Sequence, residues 1–400
     1  MYVSAGQSAL HAFLLYICAM QSRSLLLFLF ILFFVSCGSV RQFNARNASV
    51  NFLHEYIIPD KLQFQQTTVG GLSGIDYDKK NNVYYVISDD RSNINPARFY
   101  TFSFHVSSNK IENFTILRVD SLRQANGDLY PNKSEMTTIV PDPESIRLYT
   151  TENKIIWSSE GERIINEQGN NILNNPAVHV ADKNGRLQYT LPIPRQFVMS
   201  AEQTGPRRNG VFEGISFTPD EKFLFVSTEE PLYQDGSNAK PEDGTYWCRI
   251  IKYDFEKKKP IRQYAYPLDR VIEKPIPATA FSVNGISEIL ALDAKRLLVV
   301  ERSFSMGRIN NNIRIYLTDL SVAEDISENE SLISQPVKKA AKKTLLFSLD
   351  KLGTRVDNIE GITFGPVLSN GNRSLILVSD NNFIGLQKTQ ILLFDLGIKL

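Results

Sequence analysis

The chain alternates short apolar runs with short polar turns, and this pattern predicts β-strands from about residue 50 onward. Runs such as 83–88 and 223–228 are rich in β-branched and aromatic residues, which favour strands. Polar turns, for example 78–82 and 219–222, separate the runs in pairs. No convincing amphipathic helix lies between them, so the pattern predicts an all-β fold.

Five copies of one pattern follow each other along the chain. In each copy a short strand, a polar turn and a second apolar strand are followed by two further strands, which predicts a four-stranded antiparallel unit. Equivalent positions near the start of the first strand recur every 69 to 75 residues, at Ser73, Glu144, Glu213, Glu288 and Glu360. The repeats predict a single β-propeller of five blades, and they leave open a six-bladed ring with one degenerate blade.

The last copy ends after its third strand, which raises the question of what completes it. Residues 51–59 resemble the fourth strands of other copies, at 187–194 and 261–267. We expect this N-terminal strand to pair with the last blade, because a closed ring leaves no long exposed sheet edge.

The N-terminal region predicts export. Residues 25–35 form an unbroken apolar run behind Arg23, too short for the roughly 20 apolar residues of a transmembrane helix. Residues 34–37 resemble a bacterial lipoprotein signal, which predicts acylation of Cys37 and a membrane-anchored protein of the cell envelope. We therefore expect an export signal over 1–36, a flexible tether over 37–50 and the propeller over 51–400. A plain membrane anchor or an ordinary secretory signal is the alternative, and Met20 is a second candidate for the start.

Composition narrows the chemistry. The chain has 44 Lys and Arg against 43 Asp and Glu, and this neutrality argues against nucleic acid as a partner. Only four histidines are present, which argues against histidine-based zinc or triad chemistry. Cys248 is the single cysteine outside the signal region, so the domain has no internal disulfide. We expect a monomer.

Strand direction predicts an acidic face. The start of a blade's first strand and the end of its second lie at the same end of the propeller, and acids stand at both places. At the first-strand starts these are Glu144, Glu213, Glu288 and Glu360; at the second-strand ends they are Asp89, Asp90, Glu160, Glu229, Glu230, Glu301 and Asp380. The longest loops emerge at the same end, and long loops on a rigid scaffold are where function concentrates. We expect a functional face at the mouth of the central channel.

Carboxylates gathered in this way must be protonated, paired with cations or neutralised by metal. Oxygen ligands without His or Cys favour Ca²⁺, and less strongly Mg²⁺ or Mn²⁺. We expect the four first-strand glutamates to be catalytic residues and principal ligands, with Asp90, Glu160, Glu229, Glu301 and Asp380 as further metal ligands. Arg91, Arg163 and Arg302 each closely follow an acid, and we expect them to bind an anionic substrate. The alternative is structural, because acids at strand ends also cap turns.

Five short motifs in this order resemble the phytase-like domain family, often labelled "esterase-like activity of phytase". They lie at 71–76, 142–146, 212–217, 300–302 and 359–364, so the resemblance spans about residues 65 to 397. It implies a propeller hydrolase that acts on phosphate or carboxylic esters with Ca²⁺ as its metal.

Three functions follow from these observations. The first is a metal-dependent phosphoric ester hydrolase acting on a small molecule. The second keeps the metal but hydrolyses lactones or carboxylic esters. The third is a non-enzymatic envelope lipoprotein that binds a ligand. The chain contains no G-x-S-x-G motif, which argues against a serine esterase.

Overall fold

A computed structural model describes residues 50–107, 109–135, 140–167 and 169–397. The predicted export signal, Cys37 and all but the last residue of the predicted tether lie outside the described residues. Within the described ranges, none of the helices has the length and apolar character needed to span a bilayer.

The described chain forms five four-stranded antiparallel sheets, the blades of a propeller. Blade 1 contains β4 (Leu72–Asp78), β5 (Val83–Ser88), β6 (Arg98–Ser107) and β7 (Lys110–Ser121). Blade 2 contains β8 (Pro143–Tyr149), β9 (Lys154–Ser159), β12 (Ala177–Asp182) and β13 (Leu187–Thr190). Blade 3 contains β14 (Phe212–Phe217), β15 (Phe223–Thr228), β16 (Tyr246–Asp254) and β17 (Lys259–Leu268). Blade 4 contains β18 (Ser282–Ala291), β19 (Arg296–Ser305), β20 (Asn312–Asp319) and β21 (Lys342–Ser348). Blade 5 contains β22 (Asn358–Val367), β23 (Arg373–Asp380), β24 (Thr389–Asp395) and β1 (Asn51–Ile58).

Short hairpins and 3₁₀ turns lie in the loops between the blade strands. Two short hairpins pair β2 (Gln63–Phe64) with β3 (Thr67–Thr68), and β10 (Glu162–Ile164) with β11 (Ile172–Asn174). Single 3₁₀ turns occur at Lys133–Glu135, Arg195–Phe197, Tyr233–Asp235 and Leu349–Lys351. Strands therefore carry nearly all the regular structure, and the all-β, five-bladed prediction is confirmed.

The N-terminal strand closes the ring as predicted. Strand β1 pairs antiparallel with β24, in a register running from Asn51 opposite Asp395 to Ile58 opposite Thr389. Blade 5 is therefore built from both ends of the domain. Strand β1 covers the edge of β24, which would otherwise be open to edge-to-edge aggregation.

The hydrophobic core is divided among the blade interfaces. Five clusters of buried side chains each join two neighbouring blades, for example Tyr84 and Tyr100 of blade 1 with Ile391 and Leu393 of blade 5. Because both faces of a blade are packed, second strands are continuously apolar, and residues 375–378 of β23 are fully buried. An outer strand such as β7 is instead almost entirely exposed or half-buried.

Loop lengths distinguish the two ends of the propeller. The long connections between second and third strands, and between blades, lie at the end where the innermost strands begin. The long segment 320–341 leaves from the opposite end and runs along the outer strand β17, where Ile326 N and Ala341 N donate to the carbonyls of Gln263 and Ala265. That segment covers a sheet edge, and the other end carries the candidate site.

Candidate functional site

The innermost strand of every blade begins with a register irregularity that fixes which side chains enter the channel mouth. The shift lies between Leu72 and Gly74 in blade 1, and between Phe212 and Ile215 in blade 3, with matching shifts in the other blades. The first residue inside each irregularity is Ser73, Glu144, Glu213, Ser287 or Glu360, in the order of the blades. A β-bulge re-aims the side chains that it contains, so three glutamates and two serines occupy equivalent positions around the mouth.

Blade 4 departs from the predicted alignment by one residue. Ile289 pairs with Val299 as Ile215 pairs with Val226, so Ser287 is the counterpart of Glu213, and Glu288 is the counterpart of Gly214. The apolar residue after the irregularity packs in the core and fixes the register, and its position along the sequence was the available signal.

The same register places an arginine among the acids at the second-strand ends. In each blade one second-strand residue pairs with the residue before the irregularity, and the next position is acidic in four blades. In blade 4 the paired residue is Glu301, opposite Ile286. The equivalent positions are therefore Asp89, Glu160, Glu229, Arg302 and Asp380.

Eight carboxylates converge at the mouth, and we call them the acid cluster: Asp89, Asp142, Glu144, Glu160, Glu213, Glu229, Glu360 and Asp380. They form three triads, each with ligand oxygens within 4.8 Å of one another. One triad joins blades 5 and 1 (Asp89, Glu360, Asp380), one lies in blade 2 (Asp142, Glu144, Glu160), and one joins blades 2 and 3 (Glu160, Glu213, Glu229). Glu160 belongs to two triads, so it links them.

Neighbouring groups hold several of these carboxylates in place. Gly210 N and Val211 N each donate to Glu160 Oε1 at 2.6 Å, and this contact leaves the other oxygen for the cluster. Asn358 Nδ2 donates to Glu360 Oε1 at 2.8 Å and to Asp380 Oδ2 at 3.3 Å. Fixed partners of this kind orient ligand oxygens at metal sites.

Burial makes ionisation of the cluster costly. It raises the pKa of Asp380 to about 6, of Asp142 to about 7 and of Glu360 to about 8. Burial and then neighbouring carboxylates raise the pKa well above the ordinary range for Asp89, Glu144, Glu160 and Glu213. The cluster therefore has more carboxylate than nearby positive charge can stabilise.

Arg302 is a cation that lies within the acid cluster. Its Nη2 lies 2.6 Å from Glu229 Oε1, and its Nη1 lies 2.7 Å from Asn358 Oδ1 and 3.5 Å from Glu360 Oε1. Among the described residues its Nε has no hydrogen-bond partner, although it is buried. Arg302 thus bridges blades 3 and 5 and retains one unpaired donor.

Glu288 does not lie with the acid cluster. Glu288 lies one residue further along its strand than the position that the cluster glutamates occupy in theirs. It is fully buried, and its carboxylate pairs with Arg147 Nη2 at 2.8 Å. Ser145 Oγ and Ile215 N donate to its two oxygens at 2.6 and 3.0 Å. Arg147 also donates to the carbonyls of Ile75, Ile289 and Ile362. This pair joins the innermost strands of all five blades across the channel, and its acceptors are occupied by protein groups.

Two other predicted ligands, Asp90 and Glu301, accept hydrogen bonds from nearby protein groups instead of facing the cluster. Asp90 accepts from the backbone N–H groups of residues 93–95 and pairs with Arg98 Nη1 at 2.7 Å. Glu301 accepts from Tyr266 Oη at 2.7 Å and from Lys343 Nζ at 2.5 Å. The structure brings neither carboxylate to the acid cluster, because each satisfies donors of its own loop or blade.

The three predicted substrate arginines have different places. Arg302 lies within the acid cluster. Arg91 lies at its margin, with Nε 3.2 Å from Asp142 Oδ1. Arg163 donates instead to the carbonyls of Ser200, Ala201 and Glu202, so it holds a loop.

Sequence reasoning missed two residues of the site. Asp142 directly precedes β8, and Asn358 is the first residue of β22, opposite Asp380; both stand at the position that Gly71 occupies in blade 1. Asp142 completes a triad and Asn358 holds two carboxylates and Arg302. A signal was present, because both stand two residues before a first-strand glutamate.

Comparisons with solved structures recover propellers at low similarity. The protein is similar to a mannose phosphorylase from Leishmania mexicana (12% identity, 82% of this chain and 84% of that chain, TM-score 0.38). It is similar to a periplasmic gluconolactonase from Pseudomonas aeruginosa (12%, 82% and 89%, TM-score 0.34) and to a gluconolactonase from Xanthomonas campestris (8%, 87% and 90%, TM-score 0.31). These values are too low to indicate a shared activity, and no curated protein matches the chain.

A family model gives the more specific result. The model for "Phytase-like: Esterase-like activity of phytase" matches residues 67–383, which include blades 1 to 4, the two inner strands of blade 5 and the whole acid cluster. The match agrees with the order of motifs in the sequence and with the arrangement of blades. The chain belongs to this phytase-like family, and its architecture is that of a hydrolase-type propeller.

Proposed function

We propose that the protein is a divalent-metal-dependent hydrolase of phosphoric esters that acts at the mouth of its central channel. The observation that carries this proposal is the acid cluster, in which eight largely buried carboxylates converge and only some of them pair with Arg302 or Arg91. Membership of a family described by its esterase-like activity supports hydrolysis. The substrate we propose is a small phosphate ester.

The cluster has the chemistry of a site for a hard cation. All its donors are carboxylate oxygens, and burial and neighbouring carboxylates raise their pKa values, so a bound cation would stabilise the ionised form that the protein alone disfavours. Such donors select Ca²⁺ first and Mg²⁺ or Mn²⁺ second. The triads would hold one or two such ions, with Glu160 shared between two of them. When bound, a cation of this kind neutralises phosphoryl oxygens and lowers the pKa of an attacking water.

The chain's own groups supply the remaining functions. Glu213 shares a triad with Glu160 and Glu229; Arg302 contacts Glu229 through Nη2 and Glu360 through Nη1. A carboxylate with a raised pKa is a better proton acceptor than an ordinary one once it is ionised, and burial raises the pKa of Glu360 to about 8 and that of Glu213 well above its ordinary range. We assign Glu213 or Glu360 as the general base. The unpaired Nε–H of Arg302 is available to donate to a phosphoryl oxygen.

Ester hydrolysis with metal control tests this proposal. Purified protein is assayed with p-nitrophenyl phosphate, phytate and p-nitrophenyl acetate in Ca²⁺ and in EDTA, with metal content measured by mass spectrometry. We expect phosphate release that needs the cation, and a loss of about a hundredfold or more in Glu213→Gln or Glu360→Gln, the usual scale for a general base. Glu256→Gln, in an exposed turn outside the site, is the matched control and should keep full activity.

Other outcomes separate the remaining functions. Turnover of the acetate ester alone would assign carboxylic ester hydrolysis to the same cluster. No turnover of any ester with the cation bound would favour a binding protein. Phosphatase activity that survives both glutamate substitutions would refute the assigned roles.

We also propose that the protein is exported and anchored through an acylated Cys37. This proposal rests on the sequence pattern of residues 25–37. Metabolic labelling with a radioactive fatty acid should mark the wild-type protein and leave Cys37→Ser unlabelled. Equal labelling of both would exclude lipidation at this residue.

A further inference from the structure

A pocket of about 300 Å³ opens between blades 1 and 2, beside the acid cluster. Its charged lining residues are Arg91, Lys133, Arg208 and Glu162, and its apolar ones are Val140, Ile164 and Ile172. Three cations against one carboxylate make this pocket positive, although the neighbouring cluster is strongly acidic. The volume is at the small end of the range for ligand sites, which suits one charged group on a short chain.

Glu162 holds the two guanidiniums in fixed positions. Its Oε2 lies 2.9 Å from Arg91 Nη2, and its Oε1 lies 3.0 Å from Arg208 Nε. Glu162 is buried, yet the two arginines keep the pKa of its carboxyl below the ordinary value against the effect of burial. The Arg208 side chain is 57% exposed, so the rest of its planar fork is accessible to a ligand.

Arg91 connects the pocket with the acid cluster. While Nη2 binds Glu162, its Nε lies 3.2 Å from Asp142 Oδ1, a member of the blade 2 triad. The Arg91 side chain is only 11% exposed, so this position is enforced by its surroundings. A ligand group held against Arg91 and Arg208 therefore lies within one side-chain length of the carboxylates.

We propose that this pocket binds a second anionic group of the substrate, a phosphate or a carboxylate that is not itself hydrolysed. Arg208 and Lys133 donate to that group, Arg91 stands between it and the acid cluster, and Ile164 and Ile172 contact the hydrocarbon that joins the two ends. The inference rests on the proposed function for its substrate, and it narrows that substrate to esters with two anionic ends. A positive pocket next to an acidic cluster would orient such a molecule in one direction.

The kinetic test compares substrates with one and two anionic ends. Bisphosphate esters of short diols and phosphate esters of short hydroxy acids are compared with p-nitrophenyl phosphate by phosphate release. In Arg208→Gln, kcat/KM for the two-ended substrates should fall about tenfold relative to that for p-nitrophenyl phosphate, as expected for one lost charge-assisted hydrogen bond. Arg308→Gln makes the same charge change on an exposed loop of blade 4 at the same end, and this ratio should not change. An unchanged ratio in Arg208→Gln would overturn the proposal.

A binding test separates this proposal from failure of the proposed function. Wild-type protein and both variants are titrated calorimetrically in EDTA with inorganic phosphate and with succinate, after thermal melts show that the variants are folded. Binding of either probe that weakens about tenfold in Arg208→Gln, and not in Arg308→Gln, supports the pocket even if no ester is hydrolysed. The better probe identifies whether phosphate or carboxylate is preferred. No binding to wild type, or equal binding to all three proteins, overturns it.

Discussion

Removing divalent cations should make this protein progressively less stable as the pH rises from 5 to 8. The acid cluster is buried and its pKa values are raised in the folded state, whereas the unfolded chain has ordinary carboxyl groups. The folded protein therefore binds more protons than the unfolded protein in this range. Stability from such groups is fully present below the ordinary pKa and is lost as the pH passes through the raised one.

The size of the effect can be worked from one residue. Burial raises the pKa of Glu360 from 4.5 to about 8. Each pH unit between these values removes about 1.4 kcal/mol of the free energy of unfolding, so Glu360 alone loses about 3 kcal/mol between pH 4.5 and pH 7. Its neighbours interact with it, and their losses do not simply add. Even so, about 3 kcal/mol is a large part of the roughly 5–15 kcal/mol that stabilises a typical domain.

Urea denaturation measures this loss directly. Unfolding is followed by tryptophan fluorescence at pH 5, 6, 7 and 8, in EDTA and in excess Ca²⁺. In EDTA the free energy of unfolding should fall with pH. In Ca²⁺ the fall should be smaller or reversed, because a cation binds the deprotonated cluster and stabilises the folded state by mass action.

Two variants sharpen the test. Glu213→Gln removes one carboxylate from the cluster, so it should be more stable than wild type in EDTA at pH 8 and should gain less from Ca²⁺. Glu256→Gln, in an exposed turn, should follow the wild-type curves. A free energy of unfolding that rises between pH 5 and 8 in EDTA, or a Ca²⁺ effect equal at all pH values, would refute the reasoning.

Three further predictions concern the scaffold. Arg147→Met leaves Glu288 buried without its cation, so the free energy of unfolding in urea should fall by about 3–5 kcal/mol, and a change below about 1 kcal/mol would contradict the assigned role. Deleting residues 50–58 removes β1 and exposes the edge of β24, so size-exclusion chromatography should show aggregation, and a monodisperse, fully folded deletion would show that closure is dispensable. Cys248 is fully buried, and burial raises the pKa of its thiol, so a thiol reagent should label it only after denaturation; rapid labelling of native protein would contradict this placement.

Much of the fold follows from local features of the sequence. Apolar runs, polar turns and their recurrence define the blades, because antiparallel strands joined by short turns pair with their neighbours in the chain. The closing strand 51–58 could also be recognised, since the last copy of the repeat lacks a fourth strand. Antiparallel pairing fixes strand direction, and direction alone placed acids and long loops at one end.

Tertiary structure decided which of those acids share a site. The register of blade 4 places Arg302 within the acid cluster and pairs Glu288 with Arg147. That register depends on how Ile289 packs in the core. Asp90 was indistinguishable from Asp89 by composition, yet a neighbouring loop and Arg98 occupy its oxygens.

The sequence by itself thus predicted five repeats, the closure and the acidic end, because strand periodicity and direction are properties of short segments, and the structure excluded a sixth blade among the described residues. The tertiary structure decided the membership of the acid cluster and the positive pocket beside it. Those features depend on distances between residues about 70 or more positions apart, such as Arg91 and Glu162 or Arg302 and Glu229. A shift of one residue in a strand changes which side chain enters the channel, and packing rather than sequence pattern fixes that shift.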